Sequence, residues 1–207
     1  RLVRSTEVSV ADSLATDRIA APLFHSSLMQ PIDSGLAFRD TARGERPRAS
    51  EIGGAMSVAL GDFDEDGVQD VVAQLTVAGR PAIGLYRGNG GAIYPHHPIY
   101  RAAGDAPFAP VVDLVEQSVS FEFLASGDFD ADGHLDIAGA AESENQLRVV
   151  FGNGIGGFGR SSSIALSGRV RGLASGEFGR ADGLADLGVS VEGEDGPSIV
   201  ILTGPEG

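Results

Sequence analysis

One unit of sequence occurs three times in this chain, and its length and turn content restrict the fold to short strands. Each copy carries an acidic segment: GDFDEDGVQD at 61–70, GDFDADGHLD at 127–136 and GEFGRADGLAD at 176–186. The first acidic residues of these segments are 66 positions apart (128 − 62) and then 49 positions apart (177 − 128). A period near 50 residues is typical of a four-stranded antiparallel sheet that is repeated along a chain. The repetition therefore predicts an all-β protein.

Within each copy, apolar runs and turn residues follow one another in the same order. A strand-like run precedes the acidic segment, an apolar run follows it, and a polar turn leads to another strand-like run and a glycine-rich turn. Short strands bounded by Gly, Asn and Asp form a meander that leaves no room for crossover helices. The predicted strands are 57–60, 71–77 and 83–87 in the first copy, 121–126, 137–141 and 147–151 in the second, and 170–175, 187–191 and 199–203 in the third.

The repeats divide the chain into an N-terminal extension, residues 1–56, and a repeat region, residues 57–207. The predicted repeats cover about 57–110, 119–168 and 169–207, and the third ends before a fourth strand. In the extension we predict a strand at 5–10, a short helix over 13–21 and a loop over 39–49. Because the chain opens at Arg1 rather than at methionine, we expect it to be a piece of a longer precursor.

The acidic segments follow the pattern D-x-D-x-D-G-x-x-D, which suits a cation-binding loop. The glycine at the sixth position tolerates positive φ and lets the loop curl, so that the carboxylates and the seventh carbonyl converge. Carboxylates held this close repel one another unless a cation lies between them, and hard oxygen ligands at this density suit Ca²⁺. The predicted ligands are Asp62, Asp64, Asp66, the Val68 carbonyl and Asp70 in the first loop, and Asp128, Asp130, Asp132, the His134 carbonyl and Asp136 in the second.

Two calcium sites are therefore expected, and the alternatives fit the residues less well. A solvated acidic turn is the simpler interpretation of one copy, but two copies with identical spacing favour metal binding. An EF-hand needs a glutamate at position 12, where this chain has Ala73 and Gly139.

The third segment has one inserted residue and places Arg180 near the loop, so we expect that site to be weak or empty. Its remaining acidic ligands are Glu177, Asp182 and Asp186.

Composition narrows the classes of partner. The chain has 29 acidic and 15 basic residues and a net charge of −14, so we expect neither nucleic acid nor an anionic membrane surface as a partner. It contains no cysteine, which excludes disulfides and thiolate sites. No apolar run approaches the roughly 20 residues that a membrane-spanning helix needs. Cations are the expected partners.

Other apparent motifs are better explained as turns or loops. Residues 152–157 match G-x-G-x-x-G, but the segment GRSSS that follows them does not begin a helix, as a dinucleotide site requires. His96 and His97 are adjacent, so an extended segment would point them to opposite faces, and a surface loop is the better interpretation. There is no G-x-S-x-G or H-E-x-x-H, and carboxylates bound to Ca²⁺ stay ionised, so no enzymatic activity is expected.

The acidic segment, the strand after it, the closing G-N-G and the Gly-Phe turn together resemble the FG-GAP/VCBS repeats of integrin α-subunit propellers and of many secreted bacterial proteins. The resemblance covers roughly residues 57–207. It implies four-stranded β-propeller blades, Ca²⁺ in the loop between the first two strands of each blade, and an extracellular setting. The resemblance thus agrees with the ligands inferred from the loop itself.

These observations predict a secreted calcium-binding protein with a structural or adhesive role. The alternatives are a carbohydrate-binding module, which the scarcity of aromatic residues disfavours, and an accessory domain of a larger secreted hydrolase. Three blades make only a partial propeller, and its open strand edges invite pairing with a protein partner or another copy. Two interpretations follow: residues 5–10 are exchanged between molecules, which would complete the blades by assembly and give a ring or a filament, or the chain is a fragment of an ordinary seven-bladed monomer.

Overall fold

The computed structural model describes residues 52–53, 56–93, 99, 108, 113–116, 120–142, 144–178 and 184–203 of the 207-residue chain. These residues form twelve strands in three antiparallel sheets and one short helix, so the predicted all-β class is confirmed. The strand, helix and loop predicted before residue 50 lie outside the described residues, as do His96 and His97.

The first sheet surrounds the first acidic segment. Its two longest strands are joined by a turn at Ala78 and Gly79, both of which have positive φ. The sheet has five strands rather than the predicted four, because a two-residue strand at 52–53 pairs with the far end of the strand that follows the acidic segment. The predicted glycine-rich turn at 88–94 contains a single helical turn, α1 (Gly90–Ile93). The strands are β1 (Ile52–Gly53), β2 (Val58–Gly61), β3 (Asp70–Val77), β4 (Arg80–Tyr86) and β5 (Asp113–Glu116).

The second and third sheets repeat this arrangement. The second has four strands in the order of the chain, as predicted, and the third has three among the described residues. In each sheet the acidic segment connects the first two strands of a meander. The strands of the second sheet are β6 (Phe123–Gly127), β7 (Asp136–Ala140), β8 (Gln146–Gly152) and β9 (Phe158–Ala165), and those of the third are β10 (Arg169–Gly176), β11 (Asp186–Gly193) and β12 (Gly196–Leu202).

The sheets pack face to face in chain order. Val72, Ile83 and Leu85 of the first sheet share a buried cluster with Ile137 and Val150 of the second. A second buried cluster joins the other face of the second sheet to the third sheet. Strands such as β7 are buried on both faces, which explains why their sequences are continuous apolar runs instead of alternating ones. We call the side that each sheet turns toward the following sheet its forward face, and the opposite side its rear face.

Side-chain hydrogen bonds and close approaches add to this packing between the first two sheets. The Ser126 hydroxyl donates to the Leu60 carbonyl over 2.7 Å, and the Ser57 hydroxyl donates to the Phe121 carbonyl over 2.8 Å. Within the second repeat, the Phe121 ring lies so close to Gly139 that an added Cβ there would meet the ring at 2.5 Å. In the part of the chain that the structure describes, the three sheets share no strand and do not close into a ring. Among the described residues, no helix is long and apolar enough to cross a membrane.

Candidate metal centres

The first two acidic loops have the same backbone conformation. Gly67 and Gly133, at the sixth loop position, have φ of 85° and 90°, as the predicted curl requires. Glu65 and Ala131, at the fourth position, are also left-handed, with φ of 57° and 63°. A non-glycine residue in this region is uncommon, so its recurrence at one position of both loops shows that the loops are built alike.

The aspartate at the ninth position anchors each loop to the rest of its repeat. The Phe63 and Gly88 amides donate to the two carboxylate oxygens of Asp70 over 2.9 and 2.7 Å. Asp136 is held in the same way by the amides of Phe129 and Gly152, both at 2.9 Å. Both aspartates are fully buried. We call the glycine-rich segments 88–94 and 152–158, which end the first two repeats, the closing turns. The two hydrogen bonds of each ninth aspartate tie the start of its loop to the glycine that begins the closing turn.

The third loop keeps this anchor although its ligand pattern is damaged. The Phe178 amide donates to Asp186 over 2.9 Å, with one more residue between the two than in the other loops, as the predicted insertion implies. Glu177 is exposed. Asp182 lies outside the described residues, so the expectation of a weak third site stays a prediction.

Three carboxylates converge in each of the first two loops. Asp62, Asp64 and Asp66 form the first group, and Asp128, Asp130 and Asp136 form the second. In each group one oxygen per residue lies within 4.8 Å of the others, so each group could hold a metal ion. Of the remaining predicted carboxylates, Asp70 and Asp132 lie outside these groups.

The carboxylates at the first and fifth positions also bind loop amides. Gly67 donates to Asp62 over 2.8 Å, and Gly133 donates to Asp128 over 2.9 Å. At the seventh position, the amide of Val68 donates to Asp66 over 2.8 Å. The amide of His134, at the same position of the second loop, donates to Asp132 over 2.9 Å. The amide of the seventh residue is thus bonded within the loop. The predicted metal ligand is a different group of that residue, its carbonyl.

Each cluster contains a buried carboxylate oxygen without a hydrogen-bond partner among the described residues. These atoms are Asp64 Oδ1 in the first loop and Asp128 Oδ1 in the second. The Asp64 side chain is only 6% exposed. A buried charged oxygen without a partner is costly, and a bound cation would satisfy it. The donor set of both clusters therefore fits a hard metal ion.

An arginine pairs with the third-position aspartate in both loops. Arg87 forms an ion pair with Asp64, and Arg160 forms one with Asp130. Arg160 extends from β9 across the Phe151 ring, 3.8 Å from the ring centroid. The sequence gives no sign that either arginine belongs to the site, since neither lies in the acidic segment. Each guanidinium offsets one carboxylate and leaves the cluster with a net negative charge.

Burial makes the ionised form of several of these carboxyl groups unfavourable. Desolvation raises the pKa of Asp136 to about 6, although the amides of Phe129 and Gly152 oppose the shift. Desolvation also raises the pKa of Asp70, again against two backbone hydrogen bonds. The pKa of Asp64 is raised by desolvation and, to a smaller extent, by Asp66 and Asp62, while Arg87 opposes the shift.

These shifts predict how the metal-free protein responds to pH. Because the folded-state pKa of Asp136 lies near 6 and its ordinary value is 3.8, the folded state binds this proton more tightly than the unfolded state. The resulting stability is fully present below pH 3.8 and is lost as the pH rises through 6. At about 1.4 kcal/mol per pKa unit, Asp136 should lower the free energy of unfolding by about 2 kcal/mol between pH 4 and pH 7.

Urea unfolding of protein dialysed against metal-free buffer at several pH values measures this effect. With saturating metal the free energy of unfolding should instead rise from pH 4 to pH 7, because protons and the cation compete for the same oxygens. A metal-free protein whose stability rises steadily from pH 4 to pH 7 would contradict the assignment.

The two loops are also linked to each other across the first sheet interface. The His134 ring lies 2.5 Å from a Glu65 carboxylate oxygen, and this hydrogen bond raises the pKa of His134. The Gly156 amide donates to the Phe63 carbonyl over 3.0 Å. The closing turn of the second repeat therefore contacts the acidic loop of the first repeat.

No family model matches this chain, and no curated protein matches it.

Proposed function

We propose that this chain is an extracellular calcium-binding protein of the FG-GAP/VCBS type, whose sheets are propeller-like blades with a structural or adhesive role. The observation that carries the proposal is the recurrence of one loop conformation around three convergent carboxylates, each time with a buried oxygen that lacks a partner. The packing of meander sheets face to face in chain order supports the blade interpretation.

The donor chemistry favours Ca²⁺ over transition metals. Every side chain in the two clusters offers carboxylate oxygens, the hard ligands that Ca²⁺ takes in numbers of six to eight. Zn²⁺ prefers nitrogen and sulfur, and the nearby His134 ring is directed to Glu65. Asp62, Asp64 and Asp66 would hold one ion and Asp128, Asp130 and Asp136 the other, each ion supplying the positive charge that its cluster lacks.

A rival interpretation is that the arginines are the permanent counter-ions of these clusters. One guanidinium against three carboxylates leaves a net charge of about −2, which matches a divalent cation. Arg87 and Arg160 also leave Asp64 Oδ1 and Asp128 Oδ1 without a partner. The arginines therefore reduce the repulsion but do not satisfy the clusters.

Metal binding in these loops would stiffen the stack of sheets. The loops join β2 to β3 and β6 to β7, and the ninth residue of each loop binds the closing turn. Glu65 and His134 connect the first loop to the second. Extracellular calcium modules work with dissociation constants of about 10⁻⁴–10⁻³ M, a range in which such loops would be filled outside the cell.

The carbohydrate-binding alternative receives less support. Sugar sites usually stack exposed aromatic rings on the sugar, whereas Tyr86 is buried in the core of the first sheet and Phe178 is the one exposed aromatic ring among the described residues. Tyr94 and Tyr100 lie outside the described residues. Catalysis is also disfavoured, because Asp136, the carboxyl group with the most raised pKa, is fully buried with both oxygens bound to amides.

Calorimetric titration of metal-stripped protein with CaCl₂ tests the proposal. We expect about two ions per chain, because two loops keep all four aspartates. Asp64→Ala and Asp130→Ala should each reduce the value to about one, since each removes a carboxylate from one cluster. Glu194→Ala, an exposed acidic residue in a turn of the third sheet, is the matched control and should leave the value at two. Zero sites, or a preference for Zn²⁺ over Ca²⁺, would refute the proposal.

A further inference from the structure

The closing turn of the second repeat lies over the acidic loop of the first repeat. Gly154 and Gly156 of this turn are buried and have positive φ, at 68° and 76°, whereas Ile155 between them is 75% exposed. A Cβ added at Gly156 would lie 3.3 Å from Asp64 Cβ and 3.0 Å from Arg87 Nη2. The turn therefore packs directly on the third-position aspartate of the first carboxylate cluster and on its arginine.

The same turn also contacts the residues on either side of that aspartate. A Cβ added at Gly154 would lie 2.6 Å from a Glu65 carboxylate oxygen and would overlap the His134 ring that binds it. The Gly156 amide donates to the Phe63 carbonyl over 3.0 Å. The turn thus contacts three consecutive positions of the first loop, the second to the fourth.

An aromatic contact continues this interface into the core. The ring of Phe158, the last residue of the turn, packs edge-on against the Phe63 ring, with the centroids 5.8 Å apart. Both rings belong to the cluster between the forward face of the first sheet and the rear face of the second, where Phe63 is buried and Phe158 is partly buried. The second repeat therefore holds Phe63 twice, its carbonyl through an amide and its ring through another ring.

The alternating glycines of this turn are explained by what the turn contacts. Hydrogen bonds within the turn maintain its shape, since Asn153 Oδ1 accepts from the amides of Ile155 and Gly157 over 3.1 and 2.9 Å. The closing turn of the first repeat has Ala92 at the position of Gly156 and contains a helical turn instead. A closing turn can therefore form without these glycines, and the second turn has them where it meets the first loop.

This cover leaves the first carboxylate cluster more buried than the second. The Asp64 side chain is 6% exposed, and that of Asp130, at the same position of the second loop, is 17% exposed. Asp64 also carries Oδ1, the buried oxygen that lacks a hydrogen-bond partner among the described residues. The second repeat thus shields from water the group of the first loop that most needs a cation.

We propose that the closing turn of the second repeat is part of the first metal centre, so that two repeats build this centre and its cation joins them. The inference rests on the proposed calcium binding. The turn holds Phe63, Asp64 and Glu65 in the conformation that brings three carboxylates together against their mutual repulsion. Gly156 is thus a positioning residue for a site in another repeat. By reciprocity, calcium in the first loop strengthens the packing of the second repeat on the first.

Calorimetric titration with CaCl₂ of the Asp130→Ala protein, in which only the first site is expected to bind, tests the inference. Adding Gly156→Ala should weaken calcium binding about tenfold, because the new methyl group displaces Asp64 from the other two carboxylates. Gly79→Ala in the same background is the matched control. Gly79 has nearly the same φ, 79°, but an added Cβ there would meet nothing within 4 Å. Both substitutions carry the same backbone strain, so only the contact with the first loop separates them.

The Asp64→Ala protein, which keeps only the second site, provides the reverse test. Gly156→Ala should leave its calcium affinity within about twofold, since the atoms nearest to an added Cβ all belong to the first repeat. A substitution in the second repeat should therefore weaken the site of the first repeat and spare its own.

Phe158→Leu in the Asp130→Ala background decides the case in which Gly156→Ala does not fold, because it removes the ring contact with Phe63 without adding atoms. It should weaken calcium binding at the first site severalfold, and circular dichroism should show that each titrated variant is folded.

The inference is overturned if Gly156→Ala and Phe158→Leu bind calcium at the first site as tightly as Gly79→Ala does. It is also overturned if Gly156→Ala weakens both sites equally, which would indicate general destabilisation. In either case Asp130→Ala alone still binds one ion and the proposed function stands. Absence of binding by Asp130→Ala alone would refute the proposed function, and this inference with it.

Discussion

Stripping calcium from the protein should lower its melting temperature by about 10–20 °C. If free Ca²⁺ is about a hundred times the dissociation constant, each site adds about 2.7 kcal/mol, so two sites add about 5 kcal/mol. A domain of this size changes its melting temperature by about 2–4 °C per kcal/mol. The physical reason is that removal of the ions exposes each cluster to its own repulsion and leaves Asp64 Oδ1 and Asp128 Oδ1 buried without a partner. Differential scanning calorimetry with CaCl₂ and after dialysis against EDTA measures the shift.

The double variant Asp64→Ala/Asp130→Ala provides the control. In CaCl₂ it should melt close to the stripped wild type, and EDTA should hardly change it further. Mg²⁺ should replace Ca²⁺ only in part, because it demands a tighter octahedral shell and keeps several of its waters. If EDTA left the melting temperature of the wild type within 2 °C of its value in CaCl₂, the clusters would not bind calcium to any useful extent.

The loop conformation could be predicted from the sequence only in part. The glycine in the middle of the acidic motif indicated positive φ, and Gly67 and Gly133 have it. Glu65 and Ala131 share that conformation, but nothing in their chemistry marks them, since one is acidic and the other is apolar. Amides just after these residues bind the first aspartate of each loop: those of Asp66 and Gly67 donate to Asp62, and that of Gly133 donates to Asp128. These bonds form only when the whole loop is folded, so no single residue predicts them.

The role of the ninth aspartate as an anchor depends on contacts between distant residues. The motif identified Asp70 and Asp136 as ligands, but their amide donors Gly88 and Gly152 are 18 and 16 residues further along the chain. The spacing of a motif cannot reveal a partner that a hairpin brings back. Arg160 is a similar case, because it reaches Asp130 only after β9 has paired with β8.

The stacking order was likewise only partly visible in the sequence. The three repeats predicted three similar sheets, and the structure has three antiparallel sheets with the acidic segments at equivalent places. Which face of each sheet meets its neighbour depends on register, since Val71 and Val72 are both buried but lie in different clusters. The continuous apolar run in β3 does not distinguish the two faces.

Gly152→Ala should destabilise the protein by about 3 kcal/mol and weaken calcium binding at the second site. Gly152 does not have positive φ, so it is required for close approach and not for its backbone conformation. A Cβ at this position would overlap the backbone oxygen of Leu135, in the acidic loop itself. Backbone cannot move aside as a flexible side chain can, so either the loop or the closing turn must shift. A shift would break the bond from the Gly152 amide to Asp136, a member of the second carboxylate cluster.

Gly159→Ala is the matched control, because it lies seven residues away in β9 and an added Cβ would meet nothing within 4 Å. That variant should unfold within about 0.5 kcal/mol of the wild type and keep both sites, as expected for an unobstructed surface position. Urea unfolding in EDTA measures how much Gly152→Ala lowers the free energy of unfolding when no metal is bound. Calorimetric titration measures the loss of calcium binding at the second site, while binding at the first site should remain. Gly88→Ala should destabilise the protein in the same way, because its Cβ would overlap the backbone oxygen of Gln69 at the same position of the first loop, but it should affect calcium binding less, since Asp70 lies outside the first carboxylate cluster. If Gly152→Ala bound two ions with wild-type affinity, Gly152 would not be part of the second metal centre, and Asp136 would have to be held by other groups.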